Sequence, residues 1–130
     1  MEQFPLFVYG TLLSTQKAYP LLAPAVARSA IAWIDGATLH DLGPYPMLVA
    51  GSGRVFGEAH WLNPTRYTAT LHQLDAYEGK DYERVLRPVQ VDGLDRPVQA
   101  WVYVGNLELA MQYPLVLDGR WNGARNVGAA

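Results

Sequence analysis

The chain has 130 residues and a formal net charge of −2; half of its residues are hydrophobic and 17% are charged. This suits one compact domain with a single core and excludes a disordered chain, and the near-neutral balance argues against nucleic acid as the main partner, because phosphates call for a basic face. There is no cysteine, which excludes disulfides and thiolate metal sites.

No stretch is long and apolar enough to span a bilayer, and the opening MEQFPLF lacks the basic start and apolar run of a signal peptide, so the expected location is the cytoplasm. Phe4 to Tyr9 reads as a first strand, apolar on both faces and so buried. It ends at Gly10 and Thr11. Two readings stand there: a loop whose successive N–H groups face an anion, or a plain turn with Thr11 bonded to its own backbone. On the first reading Gly10 lets the backbone approach a ligand closely. Pro20 and Pro24 keep any helix in 12–25 short. Ala27 to Leu42 has a strand pattern with a turn expected at Asp35–Gly36. "GPYPML" reads as a loop, Met47–Ala50 as a short strand and "GSG" as another turn. Arg54–Leu62 is the next strand, in which Gly57 marks a bulge or a close backbone approach.

The strongest helix signal follows. Asn63 is placed as N-cap, Pro64 at the first helical position, and Gly79 as the stop after Glu78. Strands are expected at Val85–Val91 and Val98–Val104. Pro88 marks the first as an edge strand or a bulge. One or two helical turns fit 107–113, and the segment from about 118 reads as a loosely packed tail. Many short strands with one solid helix point to an α+β fold: a closed or nearly closed small barrel or sheet, packed by that helix.

The helix carries one anomaly. Tyr67, Leu71 and Leu74 occupy i, i+4 and i+7 of its apolar stripe, and the next position, i+11, is Glu78. A carboxylate on a buried stripe, at the negative end of a helix dipole, has its charged form disfavoured. A raised pKa of this kind suits acid–base chemistry near neutral pH. The alternative is that the helix frays and Glu78 turns to water or pairs with Arg84. His40, His60 and His72 lack metal-ligand spacing. His60 alternates with Glu58 and faces either a cavity or solvent. His72 and Asp75 read as a helix-surface pair, Asp75 as structural, and Arg84 as the partner of a carboxylate. Trp101 and Tyr103 share one face of their strand, opposite Val98, Ala100, Val102 and Val104; one of the two faces lines the interior.

Taken together, "FVYGTL" at 7–12, "YPML" at 45–48, "VFGEAHWL" at 55–62, "LDAYEG" at 74–79 with "YER" at 82–84, "AWVYV" at 100–104 and "DGRW" at 118–121 resemble the γ-glutamylcyclotransferase-like family, and within it the AIG2-like, γ-glutamylamine cyclotransferase branch. The resemblance covers nearly the whole of 1–130 as one domain. It implies a small mixed β-barrel with one main packing helix, short flanking helices and a cavity at one end. It implies a substrate loop at Tyr9, Gly10, Thr11 and Leu12, a catalytic acid/base at Glu78, and further contacts from Tyr82 and Tyr103. It implies a small γ-glutamyl substrate, with no metal and no cofactor. In such a molecule the α-amine attacks its own γ-carbonyl and yields 5-oxoproline and a free amine, so no enzyme nucleophile is needed. After "YGTL" this chain continues Leu13, Ser14, Thr15, Gln16, where relatives often carry a basic residue and a glycine. The amine released is therefore left open. So is a second reading, in which the same cavity binds a glutamyl-like carboxylate without turnover.

Overall fold

A computed structural model of the chain describes residues 2–123. Five strands close into a barrel: β1 (Leu6–Val8), β2 (Val26–Asp41), β3 (Pro46–Leu62), β4 (Tyr82–Val91) and β5 (Val98–Gly105), in the order β1-β3-β2-β4-β5. Helix α1 (Tyr67–Glu78) links β3 to β4, and a single turn, α2 (Leu107–Ala110), follows β5. Two 3₁₀ turns, Tyr19–Leu21 and Ala23–Ala25, occupy the segment that Pro20 and Pro24 keep from forming a longer helix. β1 runs antiparallel to β3, and a single parallel pairing, Leu6 with Trp101, joins it to β5 and closes the barrel.

Two large cores and a small cluster of Met47, Val49 and Ala110 result, and the strand alternation explains the two large ones. Along β5, Ala100 and Val102 are buried in the barrel interior with Val98 and Val104 packed against them, beside Phe7, Ile34, Leu39, Val55 and Val89. The other face of β5 turns outward: Tyr103 and Trp101 pack against Tyr67, Leu71 and Leu74 of α1. The aliphatic face is thus the one that lines the barrel, and the aromatic face receives the helix.

Several sequence expectations shift. The turns expected at Asp35–Gly36 and at "GSG" are two sides of one irregularity in a continuous hairpin. Asp35 pairs with Arg54 and Ala37 with Ala50, so Gly36 faces an excess of residues on β3. Gly36, at φ 75°, absorbs the offset as a bulge, where a reversal was expected. The chain reverses instead at 42–45, where Leu42 N–H donates to the Tyr45 carbonyl and the Gly43 N–H to Asp41 Oδ1. Asn63 does not cap α1. Its Oδ1 accepts from the N–H and the hydroxyl of Thr65, at 3.0 and 2.8 Å, and closes a local turn, so the helix begins at Tyr67. Gly79, at φ 80°, ends it as expected, its N–H donating to the Asp75 carbonyl. β4 begins at Tyr82, three positions before the expected start, and Pro88 lies beyond the short ladder of Ala32–Val91 and Trp33–Gln90 that joins β4 to β2. The first described residues of the expected loose tail are docked. Gly119 O accepts from the Phe56 N–H, and Trp121, like Val116 just before the tail, is buried in the barrel cluster. The end of that tail, 124–130, lies outside the described residues. Among the described residues no helix is long and apolar enough to cross a membrane.

Candidate active site

Three pieces of chain meet beside the C-terminal end of β1: the loop that follows it, the hairpin end at Tyr45–Pro46, and the junction of α1 with β4. Between them lies a cavity of about 240 Å³. It is below the roughly 300–1,000 Å³ of sites for drug-sized ligands and suits a small molecule. Tyr9, Gly10, Thr11, Leu12, Glu78, Tyr82 and Tyr103 all line it. Phe7, Val8, Tyr45, Pro46, Tyr77 and Asp81 complete the wall. Five of those six lie within the stretches that carry the resemblance, and only Asp81 lies outside them, but none was singled out, because their convergence depends on how the hairpin end lies against α1.

Glu78 reaches the cavity because α1 holds its periodicity to its last residue. Tyr67, Leu71 and Leu74 are buried against the barrel, and Glu78 continues that stripe. The competing possibility, a pair with Arg84, is closed off. Arg84 donates from Nε and Nη2 to the Asp75 carboxylate at 2.8 and 3.1 Å, and lies over the Trp101 ring at 4.4 Å. Asp75 also accepts from the Tyr103 hydroxyl at 2.7 Å. Among the described residues the Glu78 carboxyl makes no hydrogen bond or ion pair. Burial pushes its pKa up to about 7.

The loop after β1 presents backbone donors. Leu13 N–H donates to the Gly10 carbonyl, and Ser14 N–H to Glu58. Between Tyr9 and Leu13, the N–H groups of Gly10, Thr11 and Leu12 donate to nothing among the described residues. All three residues are buried and line the cavity. Consecutive unsatisfied amides at a concave wall form a place for an anion. Gly10 has a different reason from the one its sequence context suggested. A Cβ there would lie 2.7 Å from Pro46 Cγ and 2.8 Å from Pro46 Cδ. The missing side chain makes room for Pro46, and this packing brings the hairpin end against the loop.

The tyrosines differ from a simple set of hydroxyl donors. Tyr9 donates to the Tyr103 carbonyl at 2.6 Å, Tyr82 to the Pro46 carbonyl at 2.8 Å, and Tyr103 to Asp75. Tyr77 Oη lies 2.9 Å from Thr11 Oγ1. Burial, with the Glu78 charge as a lesser cause, raises the pKa of Tyr9, Tyr82 and Tyr103 far above the usual phenol value. They are neutral phenols with committed hydroxyls, and they offer ring surface to a ligand. Tyr103 lines the cavity from the outer face of β5, so its hydroxyl braces α1 and is not free for substrate.

A family model described as gamma-glutamyl cyclotransferase, AIG2-like, matches residues 6–123. The chain is 34% identical over 102 residues to the gamma-glutamylcyclotransferase family protein ytfP of Citrobacter rodentium, covering 76% of this chain and 79% of that one. The YtfP family protein of Escherichia coli K12 is also 34% identical over 102 residues, with 76% and 80% covered. Among solved structures, YkqA from Bacillus subtilis superposes with a TM-score of 0.75 at 24% identity, over 98% of this chain and 43% of that one. An AIG2-like protein from Mus musculus gives 0.61 at 21% identity, over 88% and 86%. These two likenesses concern the fold alone.

Proposed function

Because the chain belongs to the AIG2-like γ-glutamyl cyclotransferase family, we propose that it converts a γ-glutamyl amide to 5-oxoproline and a free amine, with Glu78 as the acid/base. One observation carries this reading: an unpaired carboxyl with a pKa of about 7 shares a small cavity with three consecutive unpaired amides. The amides of Gly10, Thr11 and Leu12 take the α-carboxylate of the substrate. The glutamyl chain then lies along Tyr9, Tyr82 and Tyr103, folded so that its α-nitrogen faces its own γ-carbonyl. Glu78, ionised, takes a proton from the α-ammonium group. The freed amine forms the ring C–N bond and Glu78 passes its proton to the leaving nitrogen; as the bond to that nitrogen breaks, Glu78 takes the second proton from the ring nitrogen and gives it to the departing amine, which leaves as an ammonium. Atoms and charge balance with no further reactant.

The cavity also bears on the amine released. Two carboxylates, Glu78 and Asp81, line it, and both raise the pKa of the same Tyr82 phenol. Ring faces from Tyr45 and Tyr77 border the same wall. This environment favours a leaving group that carries an ammonium, and disfavours one that carries a second carboxylate. The test is 5-oxoproline release from γ-glutamyl amides of a short aliphatic diamine and of alanine. The diamine substrate should be preferred by about five- to tenfold in kcat/KM, and Asp81→Asn should narrow the gap. Glu78→Gln should lower the rate by about 10²–10⁴-fold while the fold survives. A wild-type protein that binds 5-oxoproline yet releases none from any γ-glutamyl amide would favour the binding-module reading.

A further inference from the structure

The run of free amides is fastened on both flanks. On the helix side, Thr11 Oγ1 meets the hydroxyl of Tyr77, the residue before Glu78. On the barrel side, Ser14 is held by Glu58 of β3. Its N–H donates to Glu58 Oε1 at 2.9 Å and its hydroxyl to Oε2 at 2.7 Å, so both carboxylate oxygens serve one loop residue. Glu58 is fixed in turn: Oε1 lies 3.0 Å from Nε2 of His60. His60 is 1% exposed, and its Nδ1 lies 2.7 Å from the Ser29 hydroxyl on β2. The rest of the loop is tied to itself, Leu13 N–H to the Gly10 carbonyl and Ala18 N–H to the Thr11 carbonyl. A two-point grip on Ser14 sets both the position and the direction of the chain that leaves the amide run, which a single hydrogen bond would not.

We propose that Glu58 is a positioning residue that sets the Gly10–Leu12 amides for the substrate carboxylate, and so governs binding rather than proton transfer at Glu78. The inference rests on the reading of that loop as the carboxylate holder. Burial alone would raise the Glu58 pKa, but the hydrogen bonds with His60 and Ser14 outweigh it and hold the group below the usual glutamate value. The grip is therefore that of a carboxylate at neutral pH.

The test uses Glu58→Gln and Ser14→Ala, singly and together, in the full chain. Steady-state kinetics on a γ-glutamyl amide is one readout. Hydrogen exchange at the bonded amides of Leu13 and Ala18 is the other. Glu58→Gln should raise KM about tenfold, the weight of one charge-assisted hydrogen bond, with kcat within about twofold of wild type. Adding Ser14→Ala should cost little more, because both changes act through one contact. Exchange at Leu13 and Ala18 should quicken, with α1 unaffected. Ser14 is exposed, so its alanine variant keeps the test open if Glu58→Gln folds poorly. Unchanged KM and unchanged exchange would overturn the proposal, as would a fall in kcat at constant KM. If wild type turns over no γ-glutamyl amide, exchange still decides: quickening confined to the loop upholds the brace and removes only the substrate, and no change overturns it.

Discussion

At the scale of single residues, Glu78 links stability to chemistry. Its carboxyl titrates at about 7, against an ordinary value of 4.5. The folded state thus holds the proton more tightly than the unfolded chain. The resulting stabilisation is complete below about pH 4.5 and is lost as pH rises through about 7. The full shift corresponds to at most roughly 3–4 kcal/mol. Glu78→Gln carries no charge and escapes this loss. It should therefore resist denaturant better than wild type near pH 8 and match it near pH 4, by chemical unfolding at the two pH values. Equal stability at the higher pH would mean that the carboxylate is well hydrated. Glu78 was legible in the sequence because one break in an apolar stripe is a local signal. The hydroxyl commitments of Tyr9, Tyr82 and Tyr103 were not, because each partner lies on another element.

At the scale of elements, the loop after β1 acts through its backbone, and its geometry depends on what it packs against. The Gly10 contact with Pro46 joins the loop to the start of β3. The proline ring cannot rotate away as a flexible side chain would, so Gly10→Ala must move the loop. Overpacking of this kind costs about 1–3 kcal/mol. The variant should lose thermal stability and show a raised KM for a γ-glutamyl amide; wild-type values of both would show that the loop position is not critical. The sequence marked the glycine, but not its reason. Whether an N–H is free depends on where the neighbouring strand runs, which local pattern does not give. The hairpin of β2 and β3 makes the same point. Gly36 and "GSG" carry turn composition, yet the flanking apolar alternation continues through them, and the pairing of Asp35 with Arg54 and Ala37 with Ala50 turns two expected reversals into one bulge.

At the scale of the whole molecule, the site lies where the two large cores meet: Phe7 and Tyr9 of the barrel cluster and Val8, Leu12 and Tyr103 of the cluster under α1 all line it. The barrel interior is an apolar cluster, finished by Val116 and Trp121 from the segment after β5. The candidate site lies against the outer, aromatic face of β5 and the end of β1, under α1. The class of fold was readable because strand and helix periods differ, and the helix stood alone. Strand order was not, since β1 pairs with β3 and β5 across long stretches of chain. All seven residues named from the sequence as site residues line one cavity. A crystal structure of the protein with 5-oxoproline would test the roles proposed for them most directly. The ring carboxylate should sit on the N–H groups of Gly10, Thr11 and Leu12, with the ring nitrogen facing Glu78. A ligand seated elsewhere, or a carboxylate turned toward Glu78 and away from the loop, would contradict those roles.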